Sequence, residues 1–116
     1  MSDSFVNSEV WKVLQEHISL GKPIPEKSDL WPKIEKKIEE SSPNFKRDLF
    51  VLTDGKLTPE EYSIAILIKC GITTTKMGIL LSKAKNTIST RKDTLSRKIF
   101  GEKRSLKEIE ALIHLL

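Results

Sequence analysis

Helix signals and turn signals alternate at short intervals between residues 57 and 100, and this alternation constrains the fold more than any other feature of the chain. A capping box with proline at the first helical position predicts where the first helix of this segment starts, at Thr58, Pro59 and Glu61. Gly71 predicts its end, and the pair Ser82–Lys83 predicts a second turn. A longer helix is predicted from about Ala84 to Phe100, so the segment holds three helices joined by tight turns.

Apolar residues recur at helical spacing in these three helices, which gives each of them one face for a shared core. The inward positions are Ile64, Ala65, Leu67 and Ile68 in the first helix, Met77, Leu80 and Leu81 in the second, and Ile88, Leu95 and Ile99 in the third. The third helix also carries a dense set of cations and small polar side chains. This combination is typical of a helix-turn-helix whose last helix lies in the major groove of DNA.

The rest of the chain also has helical periodicity and no strand-like alternation, so we predict an all-α bundle of about seven helices. Two helices are predicted before the motif, over about Phe5–Ser19 and about residues 28–40. Ser42 and Pro43 are expected to be the N-cap and the first residue of a short third helix. A capping box at Ser105–Glu108 predicts the start of the last helix.

Three segments follow from this pattern: an N-terminal segment of about three helices over residues 1–56, the helix-turn-helix over residues 57–100, and a C-terminal helix over residues 101–116. The C-terminal helix is more apolar than a free surface helix, so it either packs within the chain or forms a dimer seam. We favour packing on the N-terminal helices, because those helices need a partner face.

Positive charge is concentrated in the second half of the chain. Residues 1–56 hold nine Lys/Arg against ten Asp/Glu, whereas residues 57–116 hold eleven against six. Between residues 83 and 104 there are eight basic residues and two acidic ones. Such a run is most often a solvated helix face, but here it coincides with the last helix of the motif and favours a polyanionic partner.

Chemistry-bearing residues are sparse, and we expect no enzymatic activity, no metal and no cofactor. His17 and His114 lack nearby ligands at metal-binding spacing, and no catalytic triad pattern or glycine-rich phosphate loop is present. Cys70, the only cysteine, is expected to pack as a small apolar residue at a helix end, with a redox switch as the less favoured alternative. The absence of a disulfide, a signal peptide and a membrane-length apolar run predicts a cytoplasmic location.

A family resemblance rests on positions that align without a gap: Leu57, Thr58, Pro59, Glu61, Ile64, Leu67, Ile68, Gly71, Met77, Gly78, Leu81, Thr87, Ile88, Arg97, Lys98 and Ile99. With them the segment Leu57–Ile99 resembles the C-terminal DNA-binding domain of LuxR-type (NarL/FixJ-like) transcription regulators, whose fold is a winged-helix-like effector domain. The resemblance implies a bacterial regulator of transcription that binds double-stranded DNA. By analogy with helix-turn-helix regulators in general, we expect a homodimer on two half-sites.

Residues outside the motif extend the resemblance to regulators of Bacteroides-type bacteria: Phe45 after Pro43-Asn44, the stretch from Lys98 to Gly101, and a terminal helix ending in Ile-x-x-Leu. In those regulators a sensor region, often with a membrane helix, precedes the helix-turn-helix. The resemblance implies that this chain is the output region of a longer protein, either cytoplasmic or on the cytosolic side of a membrane-anchored regulator.

The last helix of the motif supplies the candidates for base contacts. At about 100° per residue, Ile88, Leu95 and Ile99 share one face, and the side chains away from it are Asn86, Ser89, Thr90, Asp93 and Arg97. Asn can pair with adenine, Arg with guanine, and Asp can accept from cytosine. Polar side chains away from a core occur on any surface helix, and Asp93 would also repel phosphate.

Hydroxyl and cationic side chains around this face and at the start of the preceding helix are candidates for phosphate contacts. They are Thr73, Thr74, Lys76, Lys83, Lys85, Thr87, Arg91, Lys92 and Lys98. Lys92 lies closest to the core stripe and would have to extend outward to reach a phosphate.

The motif departs from the family pattern at Lys83, where an apolar residue is usual, at Ala84, where a Ser or Thr cap is usual, and at Arg91, where His is common. These departures motivate a second hypothesis, a protein–protein interaction module that keeps the scaffold without binding DNA. Trp11 and Trp31 are predicted to anchor the packing of the first two helices. If they instead form an exposed apolar patch with the terminal helix, they would support the interaction-module hypothesis. Alanine at Arg91 and Lys92 is expected to separate the two hypotheses. It should weaken DNA binding steeply if the chain binds DNA, and it should leave partner binding intact if the chain is an interaction module.

Overall fold

A computed structural model describes residues 8–116, and it places seven helices in them. They are α1 (Glu9–Leu20), α2 (Leu30–Ser41), α3 (Phe45–Leu52), α4 (Pro59–Lys69), α5 (Thr74–Leu81), α6 (Lys85–Phe100) and α7 (Leu106–Leu115). The described part of the chain contains no strand, so the all-α prediction is confirmed. The predicted start of the first helix near Phe5 lies outside these residues. The described helix begins at Glu9, after Ser8 accepts a hydrogen bond from the Trp11 N–H at 3.1 Å.

The start of α3 was predicted wrongly. Ser42 is not its N-cap and Pro43 is not its first residue, because the helix begins at Phe45. Ser42 instead ends α2, where its N–H donates to the Ile38 carbonyl at 2.8 Å. It is also buried, and its own carbonyl accepts from the Phe45 N–H at 3.1 Å. Tertiary burial of Ser42 and Phe45 thus overrides the local capping preference of the Ser-Pro pair.

One hydrophobic core receives side chains from all seven helices, and α4 lies at its centre. Five consecutive residues of α4, from Ile64 to Ile68, are each no more than 2% exposed. A helix that is apolar on all sides must be covered on all sides. Accordingly, α4 packs against α2, α6 and α7.

The C-terminal helix α7 packs within the chain, with Ile109 and Ile113 fully buried, but its main partners are α4 and α6 and not the N-terminal helices. The Lys69 ammonium group joins the two helix ends by donating to the His114 carbonyl at 2.8 Å. The N-terminal helices have other partners, since α1 packs on α2 and α5. The prediction that α7 packs on the N-terminal helices is therefore wrong, because α1 finds its partner faces on α2 and α5.

The segment between α1 and α2 ties the N-terminal helices to α5. Ile24 is buried, and its N–H donates to the Leu80 carbonyl in α5 at 2.8 Å. Trp31 holds the same segment by donating from its indole Nε1 to the Pro25 carbonyl at 3.1 Å. The support of α5 thus includes residues from outside the predicted motif.

Candidate nucleic-acid interface

The connection between α5 and α6 is the tight turn that the sequence predicted. Ser82 takes a left-handed conformation, with φ of 55°, and ends α5. The Lys83 N–H donates back to the Gly78 carbonyl at 2.9 Å. A β carbon built on Gly78 would lie 2.6 Å from the Lys83 carbonyl oxygen, so the close approach of turn and helix requires glycine there.

The start of α4 is the predicted capping box, and it is linked to the last part of α6. Glu61 accepts from the Thr58 N–H at 2.9 Å, and the Glu61 N–H donates to the Thr58 hydroxyl oxygen at 3.2 Å. The same Glu61 oxygen accepts from the Lys98 ammonium group at 2.8 Å. Lys98 also donates to the Lys56 carbonyl at 2.9 Å, so a single cluster fixes the start of α4 against α6.

The inward face of α6 is the one expected, because Ile88 and Leu95 are fully buried and Ile99 is half-buried. The five candidates for base contacts all retain surface. Asn86, Thr90 and Arg97 are exposed, and Ser89 and Asp93 are half-buried. The outward face of α6 therefore offers an amide, hydroxyls and a guanidinium group.

Two of these candidates already have partners within the chain. The Thr90 hydroxyl donates to the Asn86 carbonyl at 3.0 Å, as is common for Thr within a helix. The Asp93 carboxylate lies 3.6 Å from the Lys103 ammonium group. This pair offsets the negative charge that would otherwise face a phosphate.

Three of the cations expected to contact phosphates form ion pairs with glutamates of the same chain. The pairs are Arg91 Nε with Glu60 Oε1 at 3.0 Å, Lys92 Nζ with Glu110 Oε1 at 3.4 Å, and Lys98 Nζ with Glu61 Oε1 at 2.8 Å. Counting charges along the sequence therefore overstates the positive charge available to a partner. The three glutamates were not among the predicted site residues.

The placement of Lys92 differs most from the expectation. Its side chain does not extend outward: the residue is 1% exposed, and its ammonium group donates to the Thr74 hydroxyl at 2.7 Å. The physical reason is that Thr74 and Glu110 supply oxygen acceptors on the inner side of α6. Thr74, another phosphate candidate, is engaged by the same contact.

A second set of cations has no such partners. Within residues 8–116, four exposed cationic side chains on α5, the turn and α6 form neither an ion pair nor a side-chain hydrogen bond: Lys76, Lys83, Lys85 and Arg97. The neighbouring hydroxyls differ: Thr73 caps α5 by accepting from the Lys76 N–H at 3.4 Å, and Thr87 is half-buried. These four cations carry the uncompensated positive charge of α5, the turn and α6.

The N-terminus of α6 is itself attractive to anions. Ala84 occupies the N-cap position and makes no side-chain hydrogen bond to the first turn. The first backbone N–H groups of a helix have no partner within the helix, and the helix dipole is positive at this end. The departure from the usual Ser or Thr cap thus leaves these groups without a side-chain acceptor.

An open groove of about 570 Å³ lies beside the turn, between the loop after α1 and the start of α4. Its apolar lining includes Pro23, Ile24, Pro25, Trp31, Pro59, Tyr62 and Leu81. Burial raises the pKa of the Tyr62 hydroxyl, and so do Glu35, which accepts its hydrogen bond, and Glu39. The groove therefore combines aromatic and proline surfaces with a neutral phenol.

Neither tryptophan stands free of the core, although Trp31 also lines the groove beside the turn. Trp11 and Trp31 are half-buried and pack against the core, which confirms their predicted role in helix packing. The large apolar side chains exposed in the described residues lie elsewhere, at Leu20, Phe50, Val51, Leu106 and Leu115. Of these, only Leu106 and Leu115 belong to the terminal helix.

Cys70 is 1% exposed at the end of α4, as predicted, and burial raises the pKa of its thiol to about 12. Among residues 8–116, no three His, Cys, Asp or Glu side chains are grouped so that they could hold a metal ion. Nor does any helix in that range combine the length and apolarity needed to cross a membrane.

No protein-family model, curated protein or solved structure matches this chain.

Proposed function

We propose that this chain is a DNA-binding output module for transcription regulation, in which α6 lies in a major groove of double-stranded DNA. The observation that carries the proposal is the set of four exposed cations without acidic partners on α5, the turn and α6: Lys76, Lys83, Lys85 and Arg97. Phosphate contacts by Lys and Arg supply most of the affinity of such proteins for DNA.

The outward face of α6 supports the same proposal. An α-helix fits the major groove, and short side chains allow it to approach the base edges. Asn86 and Thr90 are short and exposed on the first two turns of α6, and Arg97 is a longer donor near its end. The N-terminal N–H groups of α6 add a further site for a phosphate.

Arg91 can exchange its glutamate partner for a DNA phosphate, whereas Lys92 and Lys98 are held by buried contacts and cannot do so as easily. The Arg91–Glu60 pair is half-exposed on both sides, at 43% and 36%, and such surface pairs contribute about 0–1 kcal/mol. A phosphate can replace Glu60 at that cost. Lys98 is bound to a glutamate that is only 4% exposed, and Lys92 is buried.

The resemblance to LuxR-type regulators extends the proposal to a bacterial protein in which this region responds to an upstream sensor. By analogy with helix-turn-helix regulators in general, we further propose a homodimer on paired half-sites. We also propose a location in the cytoplasm or on the cytosolic side of a membrane.

A second candidate function, a protein-interaction module without DNA binding, is favoured by the groove beside the turn. Alanine at Arg91 and Lys92 does not separate the two functions cleanly. Both side chains form contacts within the protein, so their removal also disturbs the fold. Lys83 and Lys85 are better sites, because they are exposed and have no partner among the described residues.

The test compares Lys83→Ala/Lys85→Ala with Lys33→Ala/Lys36→Ala, a control pair of exposed lysines on α2. Binding of each variant to a labelled duplex is followed by fluorescence anisotropy at several salt concentrations. We expect the first variant alone to lose affinity and to lower the slope of log K against log salt by about 0.9 for each lost phosphate contact. Equal binding by both variants and the unchanged chain would favour the interaction module.

A further inference from the structure

Lys92 is a fully buried cation in the middle of α6, and the proposed phosphate contacts make no use of it. Burying an ammonium group is costly unless it is paired and hydrogen-bonded. Its side chain has no exposed surface, whereas its partner Glu110 keeps 41%. The cost of burying the Lys92 ammonium group must therefore be offset by the contacts that it makes.

Those contacts join three helices. The ammonium group donates to the hydroxyl of Thr74, the first residue of α5, at 2.7 Å, and to the carboxylate of Glu110 in α7 at 3.4 Å. Because Lys92 itself belongs to α6, one nitrogen atom fixes the start of α5, the middle of α6 and the face of α7 against one another.

The relative placement of α5 and α6 matters for DNA. In a helix-turn-helix the start of the first helix contacts the phosphate backbone while the second helix lies in the groove. Both must therefore meet the same duplex at once. A contact that fixes Thr74 to the middle of α6 sets how the outward face of α6, with Asn86 and Thr90, meets the base edges once the start of α5 lies on the backbone.

We infer that Lys92 is a positioning residue of the DNA-binding surface, one that clamps α6 to α5 and, through Glu110, to α7, and that it does not contact DNA. This inference rests on the proposed function. It also makes α7 part of the DNA-binding unit, although α7 lies outside the predicted motif.

A substitution at Glu110 distinguishes a clamp from a phosphate ligand, because the two roles of Lys92 predict opposite changes in DNA affinity. If Lys92 were a phosphate ligand held back by Glu110, Glu110→Gln would release it and raise DNA affinity. If Lys92 is a clamp, the same substitution loosens α6 and lowers affinity, even though it removes a negative charge. Glu108→Gln is the matched control, because Glu108 is exposed on the same helix. Only half of the capping box predicted at Ser105–Glu108 forms: the Glu108 N–H donates to the Ser105 hydroxyl at 3.3 Å, and the Glu108 side chain makes no hydrogen bond or ion pair among the described residues.

The experiment measures duplex affinity against salt for the unchanged chain, Lys92→Met, Glu110→Gln, Glu108→Gln and Lys85→Met, with the melting temperature of each. We expect Lys92→Met to bind the duplex about tenfold more weakly, because a displaced α6 loses about one base contact. The slope of log K against log salt should not change, because no phosphate contact is lost. Glu110→Gln should weaken binding in the same direction, and Glu108→Gln should not. Lys85→Met should lower the slope by about 0.9.

Stability and positioning are separable here, because Glu110 is 41% exposed, so Lys92→Met removes the buried cation without leaving a buried unpaired charge. The inference is overturned if Lys92→Met lowers the salt slope as Lys85→Met does, or if a fully folded Lys92→Met binds like the unchanged chain. It is equally overturned if Glu110→Gln raises affinity.

Failure of the proposed function is distinguishable from failure of the clamp. If the unchanged chain binds no duplex at low salt, the proposed function is wrong. Amide NMR spectra then test separately whether Lys92 joins α5, α6 and α7. For a clamp, Lys92→Met and Glu110→Gln both shift the amide resonances at the start of α5 and along α7. Shifts confined to α6 for Lys92→Met would contradict it.

Discussion

Gly78 is the residue at which one added carbon atom would most directly disturb the turn between α5 and α6. We expect Gly78→Ala to destabilise the protein by about 1–3 kcal/mol, because the new β carbon would lie 2.6 Å from a backbone oxygen that cannot easily move. The helix propensity of alanine would offset at most about 1 kcal/mol of this. Urea denaturation measures the change.

Thr75→Ala, at an exposed position of the same helix, serves as the control for Gly78→Ala and should leave stability within about 0.5 kcal/mol. An equally stable Gly78→Ala would mean that the turn does not approach α5 as closely as described.

Cys70 should be chemically inert in the folded protein. Burial raises its pKa to about 12, so at pH 8 almost all of the thiol is protonated, and the thiolate is the reactive form. We expect a disulfide reagent to label Cys70 only as fast as the chain opens, and at once in denaturant. Rapid labelling of the native protein at pH 8 would contradict the buried placement.

At the scale of elements, the capping box of α4 should contribute more than the neighbouring surface pair. Glu61→Gln leaves the Lys98 ammonium group beside a neutral amide, with the Lys56 carbonyl as its other acceptor. We expect a loss of about 1–3 kcal/mol in the free energy of unfolding. The adjacent Glu60→Gln breaks only the half-exposed pair with Arg91 and should cost about 0–1 kcal/mol.

Thermal unfolding of the two glutamine variants side by side checks this order. Equal effects, or a larger effect at Glu60, would show that the link from Glu61 to α6 contributes little to stability.

Elements set by local chemistry could be predicted from the sequence, and those set by tertiary contacts could not. The Thr58 box and the turn at Ser82 depend on neighbours within a few residues, and both were predicted. Ser42 has the same local preference, yet its burial at the end of α2 decides its role. The core face of α6 followed from periodicity alone.

The candidate site shows the same division. Its outward residues on α6 follow from helical geometry, but the partners of its cations do not. Arg91, Lys92 and Lys98 pair with glutamates that are 31, 18 and 37 residues away in the sequence. No local pattern signals such pairs, because they depend on how α4 and α7 pack against α6.

At the scale of the whole molecule, the positive charge that is free on the surface of α5, the turn and α6 is smaller than the sequence suggests. Of the eight basic residues between 83 and 104, five are ion-paired in the structure, with Lys83, Lys85 and Arg97 as the exceptions. Lys76 brings the unpaired set on this motif to four. That number sets an expectation for how steeply binding should depend on salt.

The most direct test of DNA binding is the salt dependence of the unchanged chain on a random-sequence duplex, followed by anisotropy. Phosphate contacts by Lys76, Lys83 and Lys85, and by Arg97 where it contacts a phosphate and not a base, predict micromolar or tighter binding at low salt and a slope of log K against log salt of about −2.7 to −3.6. Absence of binding at low salt, or an affinity that does not change with salt, would contradict a DNA-binding role for this chain.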